Sequence, residues 1–174
     1  MVYTQKYASP LGGMLLAADE VGLTGLWFDG GKFFADNLPA EHEEEETPTL
    51  AASKRWLDIY FMGKEPDFTP PLHPTGSAFR HAVLDILLQI PYGQTTTYGE
   101  IARQLAGGGT MSAQAVGGAV GHNPISIIVP CHRVVGTDGC LTGYAGGLAK
   151  KIALLELEHA DMSRLYRPKK GTAL

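Results

Sequence analysis

Apolar positions occur in short runs in the first part of the chain and at helical spacing in the second. Met14–Ala18 and Leu23–Phe28 are two apolar runs separated by Asp19-Glu20 and Gly22, a hairpin pattern that makes the start of the chain β-rich. From Leu50 to Phe61, Trp56, Leu57, Tyr60 and Phe61 recur at amphipathic-helix spacing. The stretch "GKEPDFTPPLHPTG" then holds four prolines, which neither a helix nor a central strand tolerates, so it reads as a linker.

After the linker the pattern is helical. Ser77 is placed to cap a helix with Phe79, Val83, Ile86, Leu87 and Ile90 on its apolar face, stopped by Pro91. Thr97 with Glu100 forms a capping-box pattern opening "YGEIARQLA", which glycines 107 to 109 end. Ser112 caps "AQAVGGAVGH", which runs into the turn Asn123-Pro124. Helix, glycine-containing turn, helix is the arrangement of a helix-turn-helix, a weak signal alone because most helical pairs bind nothing. Ile125–Val129 is a short buried segment that delivers Cys131, and "VVGTDGCLTGYAGG" is a glycine-rich loop or small hairpin turning at Asp138-Gly139. A last helix spans about Leu148 to His159, apolar at Ile152, Leu154, Leu155 and Leu157, with Glu158 near its end. The predicted class is α+β: a small N-terminal sheet-and-helix domain over residues 1–72, then a helical domain over 73–174 carrying the helix-turn-helix.

Composition narrows the picture. The 174 residues are 44% hydrophobic and 18% charged, enough to bury a core and too apolar for general disorder. No apolar run approaches the roughly 20 residues that span a bilayer, and "MVYTQKYASP" lacks the form of a signal peptide, so no membrane partner and a cytoplasmic location, bacterial cytoplasm or nucleoid, are expected. A net charge of −4 argues against general polyanion binding while leaving room for a local basic face. The acidic block at Glu41–Glu46 reads as a solvated, mobile loop. The two cysteines, Cys131 and Cys140, lie in the last third, without CxxC or zinc spacing, so free thiols and no metal site are expected.

The chemistry concentrates in "VPCHRV". A lone cysteine is most often buried and inert. Here Pro130 ends the buried segment as Cys131 emerges, and His132 and Arg133 put two potential cations beside the sulfur, favouring thiolate. Downstream glycines leave a pocket floor open to close approach. A nucleophile, a metal ligand and a core cysteine all stay open on these residues alone.

"NPISIIVPCHRV" followed by "GYAGGLAKK" resembles the active-site region of the O6-alkylguanine-DNA alkyltransferases. The similarity extends through "GSAFRHAVLDILLQIPYGQTTTYGEIA", "AVGGAVGHNP" and "LLELE", and to the N-terminal "SPLGGMLLAADEVGLTGLWF". The resemblance implies irreversible, single-turnover transfer of a methyl or larger alkyl group from guanine O6, and from thymine O4, to Cys131, without a cofactor. It implies His132 as base towards Cys131 through a bridging water, Glu158 orienting His132, and Asn123 tying the recognition helix to the cysteine segment. Tyr98, Val134, Tyr144, Ala145 and Gly146 would surround the flipped base and its alkyl group. Thr97, Ser112, Gln114, Ala115 and Gly118 would meet double-stranded DNA from the minor groove, the protein acting as a monomer. Taken singly, Glu158 at a helix end reads as a surface carboxylate, Tyr98 as packing and Asn123 as a turn residue; Cys140 has no assigned role.

The chain also departs from the family pattern. Gln114 stands where the motif Arg-Ala-Val-Gly supplies an arginine that fills the gap left by the flipped base, and glutamine lacks its charge and stacking plane. No Lys or Arg lies between Arg103 and Arg133, so weakened phosphate binding is expected. No cysteine precedes Cys131, which removes the N-terminal zinc site of some members, and Cys131 itself separates the chain from the non-reactive alkyltransferase-like branch. Three other readings follow: alkyl transfer from a small molecule, a non-repairing modified-base binding module and, ranked last, a cysteine hydrolase on Cys131-His132.

Overall fold

The computed structural model describes residues 1–168. The described chain forms two compact units. The first comprises Met1–Thr75 with Pro124–Ile128, and the second comprises Gly76–Asn123 with the chain from Val129 onward. The linker region thus marks one division, while Pro124–Ile128, later in sequence, packs with the first unit rather than with the helical part that surrounds it.

In the first unit β1 (Tyr3–Ser9), β2 (Gly12–Ala18) and β3 (Leu23–Phe28) form an antiparallel meander, with β4 (Glu43–Glu44) parallel to β1 in the order β3-β2-β1-β4. The predicted hairpin is β2–β3. β1 was not legible as an apolar run because Tyr3–Ser9 is mostly polar, with Thr4 buried and its other positions half-buried or exposed. The acidic block is a correction. Glu43 and Glu44 pair with Tyr3 and Thr4 as an edge strand, and Glu46 meets Lys54 at 2.6 Å, so it is not simply a solvated loop.

All six residues of β3 are buried, which a sheet edge does not ordinarily allow. Two segments cover that edge. Leu23 N donates to Pro71 O and His73 N to Leu23 O, both at 2.8 Å. Leu26 N donates to Pro124 O at 2.8 Å and Ser126 N to Leu26 O at 2.9 Å. The proline-rich stretch is therefore an edge cover as well as a connection. Helix α1 (Pro48–Phe61) begins two residues before the predicted start, because Thr47 accepts from Leu50 N at 3.3 Å and Pro48 takes a first-turn position that needs no N–H partner.

The second unit opens with α2 (Ala78–Leu87), capped by Ser77 at Arg80 N. The two-residue strand β5 (Thr96–Thr97) then leads into α3 (Tyr98–Ala106), ended by Gly107 in the left-handed region at φ 56°. Ser112 caps α4 (Ala113–Gly121) at Gln114 N and Ala115 N, completing the helix pair. A one-turn 3-10 helix (Cys131–Arg133) and β6 (Val134–Val135) follow, β6 running parallel to β5 with Thr96 opposite Val134.

The last helix, α5 (Leu148–Leu157), ends before the predicted His159. His159 N donates to Glu156 O and Ala160 N to Leu155 O, each at 3.0 Å, with His159 at φ 58°: a Schellman end in which histidine takes the place usual for glycine. Beyond it, Leu141 N donates to Tyr166 O at 2.8 Å and Tyr166 N to Gly139 O at 3.1 Å, so the chain straps back over the predicted turn at Asp138-Gly139. Among the described residues no helix is long and apolar enough to cross a membrane.

Candidate active site

Turn chemistry explains how the cysteine is presented. Pro130, at φ −83° and ψ 62°, centres an inverse γ-turn closed by Cys131 N donating to Val129 O at 2.8 Å. Arg133 N then donates to Pro130 O at 3.0 Å, winding Cys131-His132-Arg133 into the short 3-10 turn. Asn123, at the end of α4, donates from Nδ2 to Val129 O at 2.9 Å and so fixes the approach to this turn. On its far side the β5–β6 pairing sets Thr97 beside Val135, with Tyr98 following at the start of α3.

Behind the turn lies a buried ionic cluster. Glu158 caps the C-terminus of α5 and is 2% exposed. His132 Nε2 lies 2.6 Å from Glu158 Oε2, and Arg133 forks onto the same carboxylate through Nε to Oε1 at 2.8 Å and Nη2 to Oε2 at 3.1 Å. Gly93 N donates to Oε1 at 3.0 Å. A carboxylate at a helix C-terminus opposes the helix dipole by about 0.3–1 kcal/mol, whereas charge-assisted hydrogen bonds contribute about 1.5–3 kcal/mol each, so the partners prevail. Burial alone would raise the Glu158 carboxyl, but the bonds from His132 and Arg133 hold it at about 2. Arg133 Nη1 also donates to Ile90 O at 2.6 Å, at the end of the α2 segment.

An ionised Glu158 can only accept, so His132 Nε2 carries the proton and Nδ1 is left as the basic nitrogen. Nδ1 is buried with no hydrogen-bond partner among the described residues. Burial lowers the imidazole below its ordinary value, with Glu158 pulling the other way, so the ring is a neutral base at pH 7. Burial pushes the Cys131 thiol up, while the Asn123 side chain and the Lys151 charge pull it down.

The expected cations are therefore reassigned. Beside the sulfur, His132 is uncharged and Arg133 is held by Glu158, and among the described residues Lys151, which has no distinguishing local pattern, is the charged group acting on Cys131. Gly93 was missed as well. It sits at φ 78°, and a Cβ there would stand 2.9 Å from Glu158 O, so only glycine brings that N–H to the carboxylate.

The remaining predicted positions fall into two groups. Val134 is buried at the start of β6, and Tyr144 is 2% exposed with its ring edge-on to His132 at 6.4 Å between centroids. Tyr98 donates through its hydroxyl to Thr142 O at 3.5 Å, with Gly117 of α4 and Gly143 both alongside it. Ala145 and Gly146 are half-buried beyond Tyr144. The second group lies apart from the ionic cluster, on the helix pair. Ser112, Gln114, Ala115 and Gly118 are exposed while Val116, Ala119 and Val120 face inward. That outer face of α4 carries no charge, and Arg103 on α3 is paired with Glu100. Thr97 is occupied as the cap of α3, accepting from Glu100 N at 3.1 Å.

Comparison with known proteins agrees with this architecture. Residues 2–74 match the model of the 6-O-methylguanine DNA methyltransferase ribonuclease-like domain, and residues 78–160 match that of its DNA binding domain. A methylated-DNA–protein-cysteine methyltransferase of Methanosarcina acetivorans is 45% identical over 90% of this chain and 98% of its own length. One from Haemophilus influenzae is 41% identical over 90% of this chain and 86% of its own. The crystal structure of Mycobacterium tuberculosis OGT in complex with DNA superposes with a TM-score of 0.78 at 41% identity, covering 94% of each chain. Similarity of this extent, spanning both units, places the chain in the 6-O-methylguanine DNA methyltransferase family.

Proposed function

We propose that this protein repairs DNA directly, taking a methyl or larger alkyl group from O6 of guanine, and from O4 of thymine, onto Cys131 in one irreversible step. The observation that carries the mechanism is the buried Glu158–His132 pair with Nδ1 left basic. The Cys131 thiol proton passes to His132 Nδ1 through a bridging water, and the imidazolium that forms is stabilised by Glu158. The sulfur electron pair forms the S–C bond to the alkyl carbon. The C–O6 bond breaks with its electrons passing to the purine, which takes up one proton from water while the His132 imidazolium releases the one it received, so guanine leaves neutral and Cys131 remains a thioether. Because a thioether is not hydrolysed under these conditions, each molecule acts once.

A base stacked within a duplex is out of reach of this turn, so the nucleotide must be extruded into the protein. Tyr98 and the Val134 backbone contact the extruded guanine, and Tyr144, Ala145 and Gly146 bound the alkyl group. Ser112, Gln114, Ala115 and Gly118 on the small, uncharged face of α4, with Thr97 at the start of α3, meet the minor groove, and Gln114 fills the space left in the stack. No cofactor takes part in the displacement. A free-thiol reagent of this kind suits the reducing cytoplasm.

The test is incubation with free O6-benzylguanine followed by mass spectrometry of the protein and its peptides. A benzyl group on Cys131, absent from Cys131→Ala and strongly reduced in Glu158→Gln, supports the assignment. Modification at Cys140 instead contradicts it.

A further inference from the structure

The outer face of α4 carries no charge, although phosphate neutralisation supplies essentially all of the free energy of non-specific DNA binding. Nor do its neighbours make up the deficit: Arg103 is paired with Glu100, and Arg133 and Lys151 are buried. Exposed positive charge in this unit is concentrated on the segment that follows α5. Arg164 and Arg167 are both exposed there. Lys169 and Lys170, outside the described residues, come next in sequence, so four of the chain's 14 Lys and Arg residues fall within positions 164–170 of a chain whose net charge is −4.

The segment is a fixed strap. Met162 and Leu165 pack against the cluster of Val135, Leu141, Leu155 and Ala160, while Arg164, Tyr166 and Arg167 face solvent. Tyr166 forms a parallel bridge with Cys140 and donates its hydroxyl to Asp138 Oδ2. A Cβ at Gly139 would collide with Arg164 O, so glycine there lets the strap close onto the loop. The two carboxylates nearby are engaged by other groups. Asp138 accepts from Tyr166 and Cys140 N, and Asp161 accepts from Ser163 N at 3.0 Å. Among the described residues neither arginine forms an ion pair.

The loop beneath the strap is the one that lines the pocket. Tyr98 reaches Thr142 O at 3.5 Å, two residues on from Cys140, and Thr137 lies against Gly99 at the start of α3. Strand spacings then put the Tyr166 backbone on the order of 10 Å from the Tyr98 hydroxyl. That is about one Debye length at 0.1 M salt, so phosphates flanking a nucleotide extruded beside Tyr98 lie within the field of the strap.

We propose that Arg164 and Arg167 form a second DNA contact, a basic strap that grips phosphates flanking the extruded nucleotide and supplies the charge that α4 lacks. The contact positions the duplex and takes no part in transfer. The inference rests on the DNA-repair reading for its ligand, but it is measured by binding rather than by transfer.

The test is fluorescence anisotropy of a duplex carrying one O6-methylguanine, at several salt concentrations, with the whole chain bearing Cys131→Ala so that binding is read without transfer. The same protein is compared with Arg164→Gln and Arg167→Gln added together, and with both arginines changed to lysine. The glutamine pair should flatten the plot of log affinity against log salt by about 1.8, for two phosphates, and weaken binding about tenfold or more at 0.1 M salt. The lysine pair should restore both, because a phosphate responds to charge. An unchanged slope, or no duplex binding by the arginine-containing protein, overturns the proposal. Binding to phosphatidylglycerol vesicles that the glutamine pair abolishes, with the duplex slope intact, would assign the strap to a membrane surface and also overturns it. If the glutamine pair does not fold, Arg167→Gln alone should flatten the slope by about 0.9, and an unmoved slope overturns the proposal. Benzyl transfer from free O6-benzylguanine, measured with Cys131 in place, should be equal with and without the arginines. Its loss in the glutamine pair alone would place the arginines in the pocket and overturn the proposal. Its absence from both proteins, with the slope change intact, would count against alkyl transfer and not against the strap.

Discussion

Arg133 grips Glu158 with both prongs of its guanidinium, Nε to Oε1 at 2.8 Å and Nη2 to Oε2 at 3.1 Å, one residue after the histidine that Glu158 also binds. Glu158 is thereby a fixed anion rather than a proton acceptor, and His132 is held by one nitrogen so that the other is free to act. Removing the guanidinium leaves a buried carboxylate short of its partners. Arg133→Met should cost about 3–5 kcal/mol of stability, the range for breaking a buried pair, measured by urea unfolding. A cost under 1 kcal/mol would mean the fork is incidental.

The same anion sets the acid limit of the fold. Glu158 titrates at about 2 when folded against an ordinary 4.5, so its contribution is complete above 4.5 and is lost as pH falls from 4.5 to 2. The difference corresponds to about 3 kcal/mol. His132, whose neutral form is favoured by burial, adds a loss in the same direction below its ordinary 6.5. Unfolding free energy followed from pH 7 to 3 should therefore fall more steeply in the unaltered protein than in Glu158→Gln.

Transfer itself should slow on the acid side as His132 takes up a proton. Because burial lowers that imidazole, the midpoint lies below 6.5. Glu158→Gln removes the support for the imidazolium and should reduce the rate about a hundredfold or more, within the range ascribed to general-base catalysis. Single-turnover rates with free O6-benzylguanine from pH 5 to 8 measure both effects.

Gly93→Ala tests the backbone hydrogen bond from Gly93 to Glu158. The substitution strains φ 78° and drives a methyl group towards Glu158 O, 2.9 Å away. A loss of about 1–3 kcal/mol is expected, with slower transfer because Glu158 must shift. Serine at Gly121, which has open space at its Cβ, serves as the control and should leave stability within about 1 kcal/mol.

Duplex binding tests the uncharged face of α4. Gln114→Arg should tighten binding to an O6-methylguanine duplex, and the plot of log affinity against log salt should steepen by about 0.9 if the new charge meets one phosphate. Fluorescence anisotropy at several salt concentrations gives both quantities. An unchanged affinity and slope would place position 114 away from the DNA.

What could be read in advance follows the range of the interactions. Helix caps at Ser77, Thr97 and Ser112 act over two or three residues, and each appears as the sequence indicates. Cys131 and His132 stand out because the chemistry is in neighbouring letters. Glu158 is different: nothing local distinguishes it from a surface carboxylate, and its burial depends on Arg133, His132 and Gly93, the last 65 positions away. Lys151 carries no local signal either, since its partners are backbone carbonyls that any sequence supplies. For the same reason the pairing of Pro124 and Ser126 with the free edge of β3 could not be foreseen from an apolar run.

Transfer from DNA to one sulfur is read out by intact-protein mass spectrometry after incubation with a duplex carrying a single O6-methylguanine. The expected result is one added methyl group, mapped to Cys131, with the duplex restored to guanine in equal amount. An unmodified protein, or a methyl group found anywhere but Cys131, would contradict it.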